Sequence, residues 1–246
     1  MFMLKVSDGK ILKDLLSAAS TVVDEATFRL EPEGLRLRAL DPSRVALVEV
    51  DVPKSAFDEY QCSEPFKLCV SLSQLLKILK RAGKGEAVEV ALEAEKLRVT
   101  ISGGGYARSF TLPTLQPSEG EPPAINVQFT AKAKVDSVGL KQAIEDVELV
   151  GDMVTIQADA DRLCLEAAGQ TSNATIQLDK GSGVLVSLEA TQPARATYSL
   201  NYLAEIVKAA SAGIASLELA SDMPLKIEYQ STARLTFYLA PRVEPV

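Results

Sequence analysis

The chain has 246 residues, with 33 acids against 26 bases, a formal net charge of −7, and neither histidine nor tryptophan. The missing histidine excludes Ser-His-Asp and Cys-His nucleophile activation and the common zinc sites. Cys62, Cys69 and Cys164 form no C-x-x-C pair, so a metal site and a disulfide framework are both unsupported and buried reduced thiols are expected.

In chain order, "MFMLKVSD" alternates as a strand and gives way to an amphipathic helix from about Lys10 to Val23. Leu12, Leu15, Leu16, Ala19 and Val23 share one face of that helix, and Lys10 and Lys13 lie opposite. "TFRLEPEGLRLRAL" reads as two strands around a Pro-Glu-Gly turn, and "RVALVEVDV" as a strand stopped by Pro53. The spacing predicts a second helix from Leu72 to Arg81, ended near Gly83 and Gly85. "AVEVALEAEKLRVTI" and "YARSFTL" are further strands. Gly103-Gly104-Gly105 is a turn, because no helix or G-K-S/T follows it as a phosphate loop requires. "PTLQPSEGEPPA", residues 113–124 with four prolines, is a solvated connector that its prolines stiffen. Helices recur near 138–149 and 201–210, and "QADADRL" is a polar turn between strands.

Shifting the chain by 128 residues superimposes its halves. Leu12-Lys13 falls on Leu140-Lys141, Leu35, Leu37 and Ala39 on Leu163, Leu165 and Ala167, and Ser71-Leu72 on Ser199-Leu200. Ile78, Lys80 and Gly85 fall on Ile206, Lys208 and Gly213, and Pro113 on Pro241. The expected fold class is α+β: two tandem pseudo-symmetric domains, 1–112 and 127–246, joined by the connector 113–126.

The segment "SQLLKILKRAGKG", residues 73–85, carries Lys77, Lys80, Arg81 and Lys84 and no acid. On a helix these four lie opposite Leu72, Leu75, Leu79 and Ala82. In a tandem repeat, equivalent helices can line one surface, here carrying Lys10, Lys13, Lys77, Lys80, Arg81, Lys84, Lys141 and Lys208. A basic surface on an acidic protein suits a polyanion contacted on one face and repelled elsewhere. With a Debye length of roughly 8 Å, distant acids do not cancel the local lysines. Lysine outnumbers arginine here and no base-reading motif is visible, which suits non-specific phosphate contact. The second half is weaker: Glu145 and Glu148 accompany Lys141, and Glu205 takes the repeat position of Lys77.

Five stretches carry a resemblance that covers essentially the whole chain: "LDPSRVALV" (40–48), "SQLLKILKRAG" (73–83), "GDMVTI" (151–156), "SDMPLKIEY" (221–229) and "LTFYLAPRVE" (235–244). The sequence resembles the sliding clamps of the proliferating cell nuclear antigen type, archaeal members in particular. The resemblance implies a DNA polymerase processivity factor, not an enzyme, with no cofactor and no metal. It implies a trimeric ring of clamp domains, with antiparallel sheets outside and two helices per domain lining a hole around duplex DNA. It also implies a groove for short glutamine and hydrophobic motifs of partners such as DNA polymerase, flap endonuclease and DNA ligase. The matching groove positions are Leu40, Arg44, Val45, Leu47, Pro122, Pro224, Tyr238, Ala240, Pro241 and Val243. Ring closure would pair the strands 105–112 and 171–179, with Arg108, Phe110, Thr175 and Ile176 at the interface. A separate clamp loader would open the ring, since no nucleotide-binding motif is present. The expected setting is cytoplasmic and nucleoid-associated, with no membrane partner. A homotrimer and a heterotrimer of paralogues both stay open, as does a clamp-like scaffold that binds peptides without encircling DNA. A carboxylate hydrolase built on Asp159 and Asp161 is the remaining rival, and their place in a polar turn speaks against it.

Overall fold

The computed structural model describes residues 1–117, 120–209 and 213–242. The chain forms two compact units. The first comprises Met1–Pro42, Val48–Pro122 and Ser231–Leu235; the second comprises Ser43–Leu47, Pro123–Gln230 and the stretch from Thr236.

The first half of the chain runs β1 (Phe2–Val6), α1 (Lys10–Ser20), β2 (Glu25–Glu31), β3 (Gly34–Leu40), β4 (Ala46–Pro53), β5 (Glu59–Cys62) and β6 (Phe66–Ser71). It continues with α2 (Leu72–Leu79), β7 (Ala87–Glu93), β8 (Lys96–Gly103) and β9 (Tyr106–Pro113). The strands form sheets ordered β5-β1-β7-β8-β9 and β4-β3-β2-β6; β1 pairs antiparallel with β5 and β7, β8 with β7 and β9, and β2 with β3 and β6. Alternation explains the strands: Phe2, Leu4 and Val6 of β1 are buried while Met3 and Lys5 are half-exposed.

Both helices of this unit are shorter than their spacing predicts. In α1 the stop falls at Ser20, where the Ser20 and Thr21 hydroxyls donate back to the Ser17 and Ala18 carbonyls, both at 2.8 Å. Those bonds and the β-branched run Thr21-Val22-Val23 disfavour another helical turn. As the chain leaves the helix, Val22 rather than Val23 becomes buried, and Leu15 is only half-buried. The second helix starts on Ser71, whose hydroxyl accepts from the Gln74 amide at 3.4 Å. It ends at Leu79, after which Arg81 and Ala82 donate to the carbonyls of Ile78 and Leu79 at 2.9 and 3.1 Å, a tighter i→i−3 pattern.

Gly104 and Gly105, at φ 58° and 81°, make the two-residue turn between β8 and β9. The glycine run is therefore a turn, as its sequence predicts. The start of the expected connector is fastened rather than free. Leu115 donates to the Cys69 carbonyl at 2.8 Å, Thr114 to the Glu95 carbonyl at 2.8 Å, and Glu121 pairs with Arg29.

The second half repeats the pattern: β10 (Ala131–Asp136), α3 (Ser137–Glu148), β11 (Met153–Ala158), β12 (Arg162–Ala168), β13 (Asn173–Asp179) and β14 (Leu185–Ala190). β15 (Ala194–Ser199), α4 (Leu200–Ala209), β16 (Ile214–Leu219), β17 (Leu225–Gln230) and β18 (Arg234–Leu239) complete it. The sheets are ordered β14-β10-β16-β17-β18 and β13-β12-β11-β15, and α3 packs on α4 as α1 packs on α2. β3 and β12, and β6 and β15, keep the 128-residue offset at both ends. This is the α+β fold of two similar units that the repeat predicts. Among the described residues, no helix is long and apolar enough to cross a membrane.

Candidate nucleic-acid and partner surfaces

Lys77, Lys80, Arg81 and Lys84 are all exposed, and among the described residues none has an acidic partner. Only Lys77 lies within α2; the other three occupy its C-terminal cap and the following loop, a correction to the all-helical cluster expected from spacing. Cations there are favoured by the carbonyl end of the helix. Lys10 differs, because Asp14 one turn along α1 pairs with it and, by hydrogen bond and charge, raises its pKa. Lys13 is half-buried.

The α3/α4 surface has the opposite balance. Lys141 pairs with Glu145 at 3.6 Å and Lys208 with Glu205 at 3.0 Å. Glu205 raises the Lys208 pKa most, and the charges of Glu148 and Glu145 add to it from α3. Two lysines are thus answered by three exposed carboxylates, Glu145, Glu148 and Glu205.

In the second unit, the tail that follows β18 is pinned at two points. Ala240 donates to the Val45 carbonyl at 2.8 Å and Arg242 to the Thr197 carbonyl at 2.7 Å. The Tyr198 hydroxyl, next along β15, donates to the Met223 carbonyl at 2.9 Å and so holds the loop that carries Pro224. Val45, Pro224, Tyr238, Ala240 and Pro241 are half-exposed, and Arg44 is exposed with φ 60°. Leu47 is not exposed with them: it is 2% exposed, buried at the start of β4 although the odd side of that strand continues with half-exposed Glu49 and Asp51. Met223, the residue before Pro224 in "DMPL", is 47% exposed and adds an apolar side chain beside that proline. In the first unit, Leu40 lines with Pro42 and residues 20–25 a surface pocket of about 490 Å³, and Pro122 is half-exposed. Val243 lies outside the described residues.

The two strands expected at subunit edges are β9 and β13, and each is the outermost strand of its sheet. Thr175 is exposed, and Phe110 and Ile176 are half-exposed. Arg108 is not a free edge residue. Its guanidinium pairs with Glu86, donates to the Arg81 carbonyl at 3.2 Å and lies 5.5 Å from the centroid of the Tyr106 ring.

Asp159 accepts from the amides of Asp161 and Arg162, both at 3.0 Å, and from Arg162 Nε at 3.1 Å. These donors, the Asp161 amide foremost, hold its carboxyl below the usual range against the opposing effect of burial. That is the work of a turn, and nothing favours the hydrolase. Among the described residues no cluster of three or more candidate ligands could hold a metal ion. All three cysteines are free thiols, but only Cys69 is buried; Cys62 and Cys164 are half-exposed.

Two family models match: proliferating cell nuclear antigen, N-terminal domain, over residues 1–102, and its C-terminal domain over residues 124–242. A DNA polymerase sliding clamp of Thermococcus gammatolerans is 36% identical over 244 residues, covering 97% of this chain and 98% of that protein. Among solved structures, A. fulgidus PCNA bound to the C-terminal region of FEN-1 superimposes with a TM-score of 0.91 at 26% identity, over 100% of both chains. A PCNA2–PCNA3 complex from Sulfolobus tokodaii gives 0.90 at 30% identity, over 98% of this chain and 100% of the other.

Proposed function

The chain belongs to the proliferating cell nuclear antigen family, and from that premise we propose that it is a DNA polymerase sliding clamp. Three copies close head to tail into a ring around duplex DNA, each copy contributing clamp domains 1–112 and 127–246 joined by the connector 113–126. The observation that carries this reading is the pair of outermost strands, β9 in one unit and β13 in the other. Open strand edges seek a partner strand, and two different edges on one chain generate a head-to-tail assembly that closes when the rotation permits.

Inside the ring, Lys77, Lys80, Arg81 and Lys84 meet the phosphates, because their charges are exposed and, among the described residues, unanswered. Lys13 adds to them, whereas Lys10, Lys141 and Lys208 are offset by Asp14, Glu145 and Glu205 and contribute little. Retention is topological, so individual contacts stay weak and the ring can slide. The chain catalyses nothing; an ATP-using loader supplies the energy of opening.

Outside, Val45, Met223, Pro224, Tyr238, Ala240 and Pro241 receive partner motifs, as apolar anchors require. The FEN-1 region bound to the A. fulgidus relative supports a flap endonuclease as one partner, and the polymerase named in the T. gammatolerans relative supports another. DNA ligase is proposed on the same motif chemistry. The S. tokodaii complex supports a second reading, a ring mixed with paralogues. Absolute mass in solution separates the two: three times 26.4 kDa, about 79 kDa, is expected for a self-closing ring, and a persistent monomer requires sister chains.

A further inference from the structure

The loop that follows α2 carries Arg81 and Lys84, and its shape is held from a different strand. The Glu86 carboxylate accepts the Gly83 amide at 2.6 Å, and the Glu86 amide donates back to the Gly83 carbonyl at 3.2 Å. Arg108 of β9 spans the same loop, pairing with Glu86 through Nη2 and donating from Nη1 to the Arg81 carbonyl at 3.2 Å. Both side chains are only 22% exposed. Gly103 makes room: a Cβ there would come within 2.9 Å of Glu86 Cγ.

We propose that Glu86 and Arg108 are positioning residues that hold the Arg81–Lys84 loop in the form that meets the DNA phosphates, a role that rests on the sliding-clamp reading. Neither touches the duplex. They act by removing freedom from a loop that glycines at 83 and 85 would otherwise leave loose. Immobilising long side chains only on binding costs affinity, so a loop ordered beforehand binds more tightly without any new contact. The Gly83 amide first, and then Arg108, keep the Glu86 carboxyl below the usual carboxylate range, so the clasp stays charged at neutral pH. Arg108 also sits on the outermost strand β9, which places the clasp beside the proposed subunit edge.

Glu86→Ala gives a test whose sign is decisive. Removing an acid beside a phosphate-binding loop should tighten DNA binding if charge alone matters. Positioning requires the reverse: affinity for a short duplex, read by fluorescence anisotropy on the trimer, should fall about 2- to 10-fold. Arg108→Met should match it, and Arg108→Lys should recover part of the loss. In an Arg81→Ala, Lys84→Ala background, Glu86→Ala should cost nothing further, because there is no cation left to place. Unchanged or tighter binding by Glu86→Ala, or an equal loss in both backgrounds, would overturn the positioning role. Should the Arg81→Ala, Lys84→Ala variant itself bind with unaltered affinity and salt dependence, the DNA-facing assignment fails first and takes the clasp with it.

Discussion

The backbone N–H of Ala240 donates to the carbonyl of Val45 at 2.8 Å, so the tail leaves β18 running along the start of β4. The 128-residue repeat maps Ala240 onto Leu112, at the end of β9, and Val45 onto Asn173, at the start of β13. Those two strands are outermost in their sheets. The bond found once within the chain therefore gives the register expected between chains: Leu112 of one subunit beside Asn173 of the next. A Leu112→Cys, Asn173→Cys variant should oxidise to a covalent trimer on a denaturing gel, since bridged residues need Cα atoms about 4.4–6.8 Å apart. A Leu112→Cys, Thr175→Cys pair should react less. Equal reaction of both pairs, or of neither, would contradict the register.

The partner surface separates from the core at Leu47. Tyr238→Ala with Pro241→Ala should weaken a glutamine and hydrophobic motif peptide by at least about tenfold, the loss of one or two buried anchors. Leu47→Ala should act on the fold instead, lowering stability by about 2–5 kcal/mol, as emptying a packed leucine site does. Calorimetry of peptide binding and thermal unfolding read the two effects apart. A stable Leu47→Ala protein that loses peptide would return Leu47 to the groove.

The inner wall is expected to be electrostatically one-sided. Each phosphate contact removed should lower the slope of log affinity against log salt by about 0.9. Lys77→Ala and Lys80→Ala should each do so, while Lys141→Ala and Lys208→Ala leave the slope unchanged, because Glu145 and Glu205 already engage those amines. Reversing the acids, Glu145→Lys with Glu205→Lys, should strengthen duplex binding. Equal slopes for all four lysine variants would refute the asymmetry.

Acid should release Glu218. Burial pushes its carboxyl pKa up, but Lys226 at 2.9 Å and Lys132 at 3.3 Å more than reverse that, and the net shift is downward. A carboxyl depressed in the folded state adds stability above its unfolded value and loses it as pH falls through the folded one. Urea midpoints should show wild type more stable than Glu218→Gln at neutral pH, with the gap closing below about pH 4. A gap independent of pH would exclude the ion pairs as its source.

Much of this was legible in the sequence because it repeats. The offset that aligns Leu35, Leu37 and Ala39 with Leu163, Leu165 and Ala167 also aligns β3 with β12 end to end. What stayed hidden depends on partners distant along the chain or on where a helix stops. Nothing local announces that Arg108 reaches back 22 residues to Glu86. The early stop of α2 reflects the switch to i→i−3 bonds at Arg81 and Ala82, while spacing alone carried the helix onward. The Lys10–Asp14 pair, by contrast, is written in the sequence as an i,i+4 spacing on a helix. The burial of Leu47 was not legible, because the alternation of β4 puts its odd positions, Glu49 and Asp51, on the half-exposed side.

Encirclement is tested most directly by comparing closed and cut DNA. The ring, loaded by its ATP-using loader onto a nicked circular duplex, should remain on it through gel filtration at raised salt and be lost when one restriction cut linearises the circle. Equal retention on circle and line would mean that contacts rather than topology hold the protein, and the sliding clamp reading would fall.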